Sequence, residues 1–236
     1  MALGGWSLLA QPAGLKLDDV IQKSIAAQGS LNKISTLKTT GKIIMGGGQS
    51  ELPIVSYFKR PNKTRSELSL QGQKIVEAFD GTVRWTVNPL LGSRDPQRSI
   101  EEAEESNLLE SPLANYKEKG SKAELAGKEE VDGVTAFKIK LTQGNGAVQT
   151  IYVDETSFLI VKTKTKRQGQ DFETEITPSD YKSIEGVMIP FSTVKKTNNQ
   201  AGMQLQFEKV EANVPVEDAL FTMPEVLRKP DLPKVQ

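Results

Sequence analysis

The sequence contains no cysteine and no histidine. Without cysteine there is no disulfide, no thiolate-ligated zinc or iron–sulfur site and no thiol nucleophile. There is also no cysteine to carry an acyl anchor. Without histidine there is no imidazole base, no Ser-His-Asp triad and no imidazole metal ligand. A surplus of one charge is missing too, since 30 Lys+Arg balance 30 Asp+Glu in 236 residues. Nucleic-acid binding draws on a basic surplus that displaces counterions, so no nucleic-acid partner is expected. Aromatic residues are scarce at 6%. No apolar run reaches the roughly 18 residues that carry a helix across a bilayer. Together these absences point away from an enzyme, and no cofactor and no metal are expected.

What is present is a 37% apolar fraction, enough for the core of one large domain or two small ones. The ends stand apart from the rest. Residues 1–14 are apolar, with small residues toward Ala13 and Gly14. They resemble the back half of a secretory signal without its basic leader, or else they form a disordered tail. Residues 225–236 form a charged, proline-bearing tail with Pro230 and Pro233. The domain between them is expected over 15–224.

That domain opens on one amphipathic helix. Leu17, Val20, Ile21, Ser24, Ile25 and Gln28 fall on one face at helical spacing. Asp18 and Asp19 occupy the first turn, where the helix dipole favours negative charge. Gly29 is placed to end it. A short turn through Leu31 and Ile34 leads onward.

From residue 36 the periodicity changes to two. Strands are expected near 37–46, 51–60, 63–71, 73–79 and 82–88, and again near 122–130, 134–142, 147–154, 158–167, 171–183, 187–197 and 202–211. The links are short and carry Asp-Gly, Asn-Gly and Glu-Gly pairs. Asp80-Gly81 suggests a two-residue hairpin turn that sets Phe79 against Thr82, Glu77 against Arg84 and Val76 against Trp85. Around Gln168-Gly169 the charge pattern sets Lys166 against Asp171, Lys164 against Glu173 and Lys162 against Glu175. Thr165 then meets Phe172, and Val161 meets Ile176. A one-residue slip would oppose charge to apolar groups. The lysines of 162–166 therefore read as half of a charge ladder rather than as a nucleic-acid patch.

Residues 93–120 interrupt the strands. Asp95-Pro96 reads as a helix start, with a capping carboxylate before a proline at the first helical position. Gln97 to Leu109 carries four glutamates, and Glu110 follows. Ser111-Pro112 suggests a second short helix closed by Gly120. Two helices set into a run of strands read as a cover. With no β-α-β alternation, the fold class is mainly β with a few helices (α+β). A single curved antiparallel meander is expected, closed or half-open as a barrel.

The candidate catalytic groups that remain are carboxylates, lysines, serines and tyrosines. The acids fall in turns, on strand exteriors and in the 101–110 run, which suits solvated surface. Gly46-Gly47-Gly48 follows a strand, but neither a Lys-Ser/Thr pair nor a helix follows it, so it is no phosphate loop. Alternation points Leu52, Ile54, Phe58, Leu68, Leu70, Val83, Trp85, Val87 and Phe191 inward. These residues either line an apolar cavity or pack as a filled core.

Several segments in order resemble a known family. After the amphipathic helix come Leu37-Lys38-Thr39-Thr40-Gly41-Lys42 and then Phe58-Lys59-Arg60-Pro61-Asn62-Lys63-Thr64-Arg65. Ala78-Phe79-Asp80-Gly81-Thr82-Val83-Arg84-Trp85 follows. Later come Ile151-Tyr152-Val153-Asp154, Asp180-Tyr181-Lys182, Gly186-Val187-Met188-Ile189-Pro190-Phe191 and Asp218-Ala219-Leu220-Phe221-Thr222-Met223-Pro224. The set resembles the outer-membrane lipoprotein-sorting superfamily (LolA-like, LolB-like) in its broad sense. The resemblance implies a periplasmic half-open β-barrel with a helical lid and an apolar cavity for acyl chains of lipids or lipoproteins. It implies a lid-holding arginine, for which Arg60 and Arg65 are candidates. The alternative is an envelope interaction or stress-sensing domain with the same fold and a filled cavity. In that case the acidic 93–120 insert would dock an envelope protein.

Overall fold

Period-two alternation from residue 36 onward folds as twelve strands of one antiparallel sheet. The computed structural model describes residues 15–90, 108–198 and 200–224. The apolar N-terminal stretch, the Asp95-Pro96 helix start with most of the acidic run, and the C-terminal tail lie outside the described residues. The strands are β1 (Thr36–Met45), β2 (Ser50–Lys59), β3 (Lys63–Leu70), β4 (Gln73–Phe79), β5 (Arg84–Val87) and β6 (Lys122–Val131). They continue as β7 (Val134–Thr142), β8 (Val148–Asp154), β9 (Ile160–Lys166), β10 (Glu173–Ile184), β11 (Val187–Thr197) and β12 (Gln200–Ala212). Their spatial order is β5-β4-β3-β2-β1-β12-β11-β10-β9-β8-β7-β6. The sheet thus consists of two meanders joined where β1 pairs with β12. It stays open, with β5 and β6 as its edges.

Helix α1 (Leu17–Gln28) forms where its spacing places it. The Asp19 carboxylate accepts the Lys16 backbone N–H at 3.1 Å and closes its first turn. Gly29 ends it at φ +85°, and a Cβ there would collide with the Gly186 carbonyl in the β10–β11 turn. Val20, Ile21 and Ser24 are buried. Val20 and Ile21 pack on Phe137, Ile139 and Leu141 of β7 and on Ile151 and Val153 of β8. Each such side chain contributes about 1.5–3 kcal/mol by leaving water. A 3₁₀ turn over Leu31–Lys33 then delivers Ile34 to a central cluster with Leu37, Phe58, Val187, Ile189, Phe191, Phe207 and Val210.

Residues 108–120 depart from expectation. No regular helix starts at Ser111-Pro112. The chain runs through successive turns, with the Ala114 N–H on the Ser111 carbonyl and the Lys119 N–H on the Asn115 carbonyl. Asn115 takes φ +54°, a left-handed conformation that a helix cannot continue through. The segment is more than a surface cover. Leu113 and Tyr116 enter the α1 cluster, and Leu109 enters the central one.

Two registers also differ from the sequence reading, both by two residues. In the β4–β5 hairpin Phe79 pairs with Arg84, Ala78 with Trp85, Glu77 with Thr86 and Val76 with Val87. The cause is the Asp80 carboxylate, which accepts the backbone N–H groups of both Thr82 and Val83 at 2.8 Å. This side-chain turn makes a four-residue loop in place of a two-residue one. Val83 is therefore in the loop, not in a strand. Asp132-Gly133, by contrast, does form the two-residue turn, with φ +50° and +84° and Val131 facing Val134. In the β9–β10 hairpin Lys166 pairs with Glu173, Thr165 with Thr174, Lys164 with Glu175 and Thr163 with Ile176. Phe172 drops into the loop and is exposed. Because each shift is even, no strand turns over; charge still opposes charge between β9 and β10, whereas Glu77 faces Thr86 instead of Arg84.

Candidate ligand cradle

Partners in an antiparallel ladder share a face, so the register assigns every side chain to one side of the sheet. Leu37, Phe58, Thr64, Phe79 and Arg84 form one transverse row across β1 to β5. Gly41, Ile54, Leu68 and Ile75 form a second, and Leu52 extends it beside Ile43. This is the face that meets Ile34 and Leu109. It is the concave, helix-bearing side. Leu52, Ile54, Phe58, Leu68, Leu70 and Phe191 all lie on it, as the alternation predicts.

That face is filled unequally. On the β7–β8 side α1, Leu113 and Tyr116 bury it. On the β2–β4 side Leu52, Leu68, Leu70 and Ile75 stay half-buried. Between the two apolar rows runs a polar one. Thr39, Ser56, Ser66, Glu77 and Thr86 pair in succession from β1 to β5. The Ser56 and Ser66 hydroxyls lie 3.0 Å apart. Alternation in the sequence marks the leucines, but it does not reveal that the hydroxyls of Thr39, Ser56, Ser66 and Thr86 share one row with Glu77, because alignment depends on register.

Trp85 and Val87 occupy the opposite, convex face. Trp85 pairs with Ala78, which pairs with Arg65, which pairs with Tyr57, and none of these shares the row of Phe58. Trp85 is 1% exposed. It packs with Val76 and Ala78, with Val87 and Met223 beside them. Its indole N–H donates to the Phe221 carbonyl at 2.7 Å. Residues 213–224 cross this face as a strap. Lys59 donates to the Val216 carbonyl at 2.8 Å and pairs with Asp218 at 2.8 Å. Lys63 pairs with the same carboxylate at 3.1 Å. These two lysines hold the Asp218 carboxyl below its usual pKa.

The two candidate arginines separate in the same way. Arg60 follows β2 and turns to the concave side. Its Nε donates to the Ile34 carbonyl at 2.9 Å. Its Nη2 donates to the Leu31 carbonyl at 2.9 Å and to the Leu109 carbonyl at 2.8 Å. One guanidinium thus ties the turn after α1 to the start of the 108–120 segment. Arg65 sits on the convex face, within 5.6 Å of the Trp85 ring, and donates to the Leu220 carbonyl at 2.7 Å. Its other contact is Glu67, at 2.9 Å, which Lys74 also reaches at 2.8 Å. Burial opposes the charge on Glu67, but the hydrogen bonds from Lys74 and Arg65 outweigh it and lower its pKa. Arg60 therefore holds the concave cover, and Arg65 holds the C-terminal strap.

Among the described residues no group of three or more acidic side chains is arranged to hold a metal ion. No helix among them is long and apolar enough to cross a membrane.

No protein-family model matches the sequence, and no curated protein matches it. Solved structures do match the fold. A LolA superfamily protein from Nitrosomonas europaea superposes with a TM-score of 0.60, covering 89% of this chain and 98% of that one at 12% identity. The fold is LolA-like. A proposed outer membrane lipoprotein-sorting protein domain from Vibrio parahaemolyticus gives 0.62 over 88% and 96% of the two chains at 13% identity. A DUF1329 family protein from Desulfovibrio piger gives 0.59 over 89% and 98% at 13% identity. In this LolA-like sheet, Arg60 joins two covering segments across the cradle, and the half-buried leucines of β2 and β3 lie on the same side.

Proposed function

We propose that this protein is a periplasmic carrier or binding protein for the acyl chains of lipids or lipoproteins, acting without catalysis. The observation that carries this reading is the unequal filling of the concave face. Leu52, Leu68, Leu70 and Ile75 form a half-buried apolar surface on β2 to β4, beside the buried Ile54, that α1 does not cover. An acyl chain gains about 25 cal/mol for each Å² of apolar surface it removes from water. A curved sheet with helices to one side suits such a ligand. The LolA-like fold, shared with a domain described in terms of lipoprotein sorting, agrees with this reading.

The test is native mass spectrometry of freshly purified protein with organic extraction, followed by binding of a fluorescent acyl probe. A co-purifying lipid, fatty acid or acylated peptide is the expected result. Leu68→Trp should cover the half-buried leucines and weaken probe binding by tenfold or more while the fold persists. A clean apo mass with no probe uptake by the wild-type protein would instead support a filled envelope-interaction domain, with the 93–120 insert as its docking segment.

A further inference from the structure

Among the described residues, four buried side-chain polar atoms have no hydrogen-bond partner, and three of them lie on the concave face. They are the Thr39 hydroxyl oxygen and two nitrogens of Arg84, Nε and Nη2. Arg84 opens β5 and pairs with Phe79, so it belongs to the row of Phe58 and Thr64. It is only 7% exposed. Its Nη1 reaches a Glu77 carboxylate oxygen at 3.4 Å, a long contact to a side chain that is itself 54% exposed. Its guanidinium lies 5.9 Å from the centre of the Phe79 ring.

Nε and Nη2 form one edge of a guanidinium. Their N–H groups run parallel and match the two oxygens of a carboxylate or phosphate. A buried donor without a partner carries its desolvation cost uncompensated, and here both donors of one edge do so together. That cost would be offset by a group presenting two oxyanion acceptors. Among the described residues the carboxylate in contact is that of Glu77, and it engages Nη1, on the other side of the guanidinium.

We propose that Arg84 is the head-group recognition residue of the cradle, binding the oxyanion at the polar end of an acyl ligand. This rests on the acyl-binding reading above. The apolar rows through Ile54 and Leu68 would take the chain, while the Nε/Nη2 edge takes a carboxylate or phosphate by two parallel hydrogen bonds. Because these donors are already out of water, the oxyanion gains them without displacing an established hydration shell.

The experiment compares dodecanoate, dodecyl phosphate and the neutral dodecanol as competitors of a neutral fluorescent acyl probe. Wild-type protein should prefer at least one of the anions to the alcohol by about tenfold, the scale of one charge-assisted hydrogen bond. Preference for dodecanoate alone points to a free carboxylate, and preference for dodecyl phosphate alone to a phospholipid-type head. Arg84→Met should abolish the preference and leave dodecanol binding unchanged. Its melting temperature should stay level or rise, because unsatisfied donors are removed. Arg84→Lys, which keeps the charge and loses the fork, should retain only part of the preference. Glu77→Gln should retain or increase it. If the wild type binds all three equally, or if Arg84→Met keeps the preference, the head-group assignment is overturned and the acyl cradle stands. If the wild type binds none of them, both readings fall.

Discussion

Arg60 Nη2 lies 2.8 Å from the Leu109 carbonyl and 2.9 Å from the Leu31 carbonyl, so one side chain links two covering segments that are 78 residues apart in sequence. A charge-assisted hydrogen bond contributes about 1.5–3 kcal/mol, and the three accepted here share one donor group. Arg60→Leu is therefore expected to cost about 2–4 kcal/mol. The loss should be local. Hydrogen exchange at the Ile34 amide, which is bonded to the Leu31 carbonyl at 3.1 Å, should accelerate while the β10–β11 ladder stays protected. Uniform acceleration over the sheet would show that Arg60 supports the whole fold and not the cover.

The convex position of Trp85 gives a second expectation. Trp85→Ala should cost about 3–5 kcal/mol through the cavity it leaves. Trp85→Phe should cost about 1 kcal/mol, since it removes chiefly the bond to the Phe221 carbonyl. Neither should change acyl affinity directly. In a Trp6→Phe background, a brominated fatty acid should leave Trp85 fluorescence unquenched. Strong quenching would place the ligand on the convex side.

Glu175 is a third case. It is 7% exposed and lies 3.6 Å from Lys162 and 3.5 Å from Lys164. Burial opposes the charge on Lys162, but Asp132 at 3.1 Å and Glu175 more than compensate and raise its pKa. Glu175→Ala leaves two lysines short of a carboxylate and should cost about 2 kcal/mol in a urea unfolding curve. Replacing the half-buried Glu173, whose side chain is 45% exposed, should instead cost well under 1 kcal/mol. Equal costs would mean that burial does not distinguish the two rungs.

Acid should loosen the strap before the core. Glu67 and Asp218 both have folded pKa values below their ordinary ones of 4.5 and 3.8. A depressed folded pKa contributes stability that is present above the unfolded value and is lost as pH falls through the folded one. The contribution of Glu67 should therefore be complete above about pH 4.5 and fade below it. The melting temperatures of wild type and Glu67→Gln should differ at neutral pH and converge in acid. A constant gap down to pH 2 would exclude this linkage.

How much of this was legible in advance varies by residue. Val20, Ile21 and Ser24 fall on one helical face by spacing alone, and Asp19 and Gly29 mark its ends. Twelve strands follow from alternation and turn residues, because the side-chain period of an extended chain is two whatever surrounds it. Which side chains of a strand share a face was readable for the same reason, but Trp85 and Val87, expected inward, lie on the convex side. The two hairpin registers were not. Asp80-Gly81 and Asp132-Gly133 are the same dipeptide, yet the Asp80 carboxylate bonds two backbone N–H groups of its own loop while Asp132 and Gly133 take positive φ. That choice depends on whether a lengthened loop is compatible with the strands on either side.

The sequence by itself determined the classes of chemistry that cannot occur, the helix, the strand count and the charge ladder between β9 and β10. Each is a local property of composition or period. Only the tertiary structure decided which alternating face turns inward. Trp85 and Leu68 both lie in alternating runs, and chain connectivity through β3, β4 and β5 sends one to the convex side and the other to the concave one. It also separated Arg60 from Arg65. Both sit near the β2–β3 turn, but Arg65 lies on the convex face of β3, while Arg60 lies past the end of β2 with its guanidinium against the concave-side cover. Facing is a property of the whole ladder, since each strand inherits it from its neighbour's register, and no single segment encodes it.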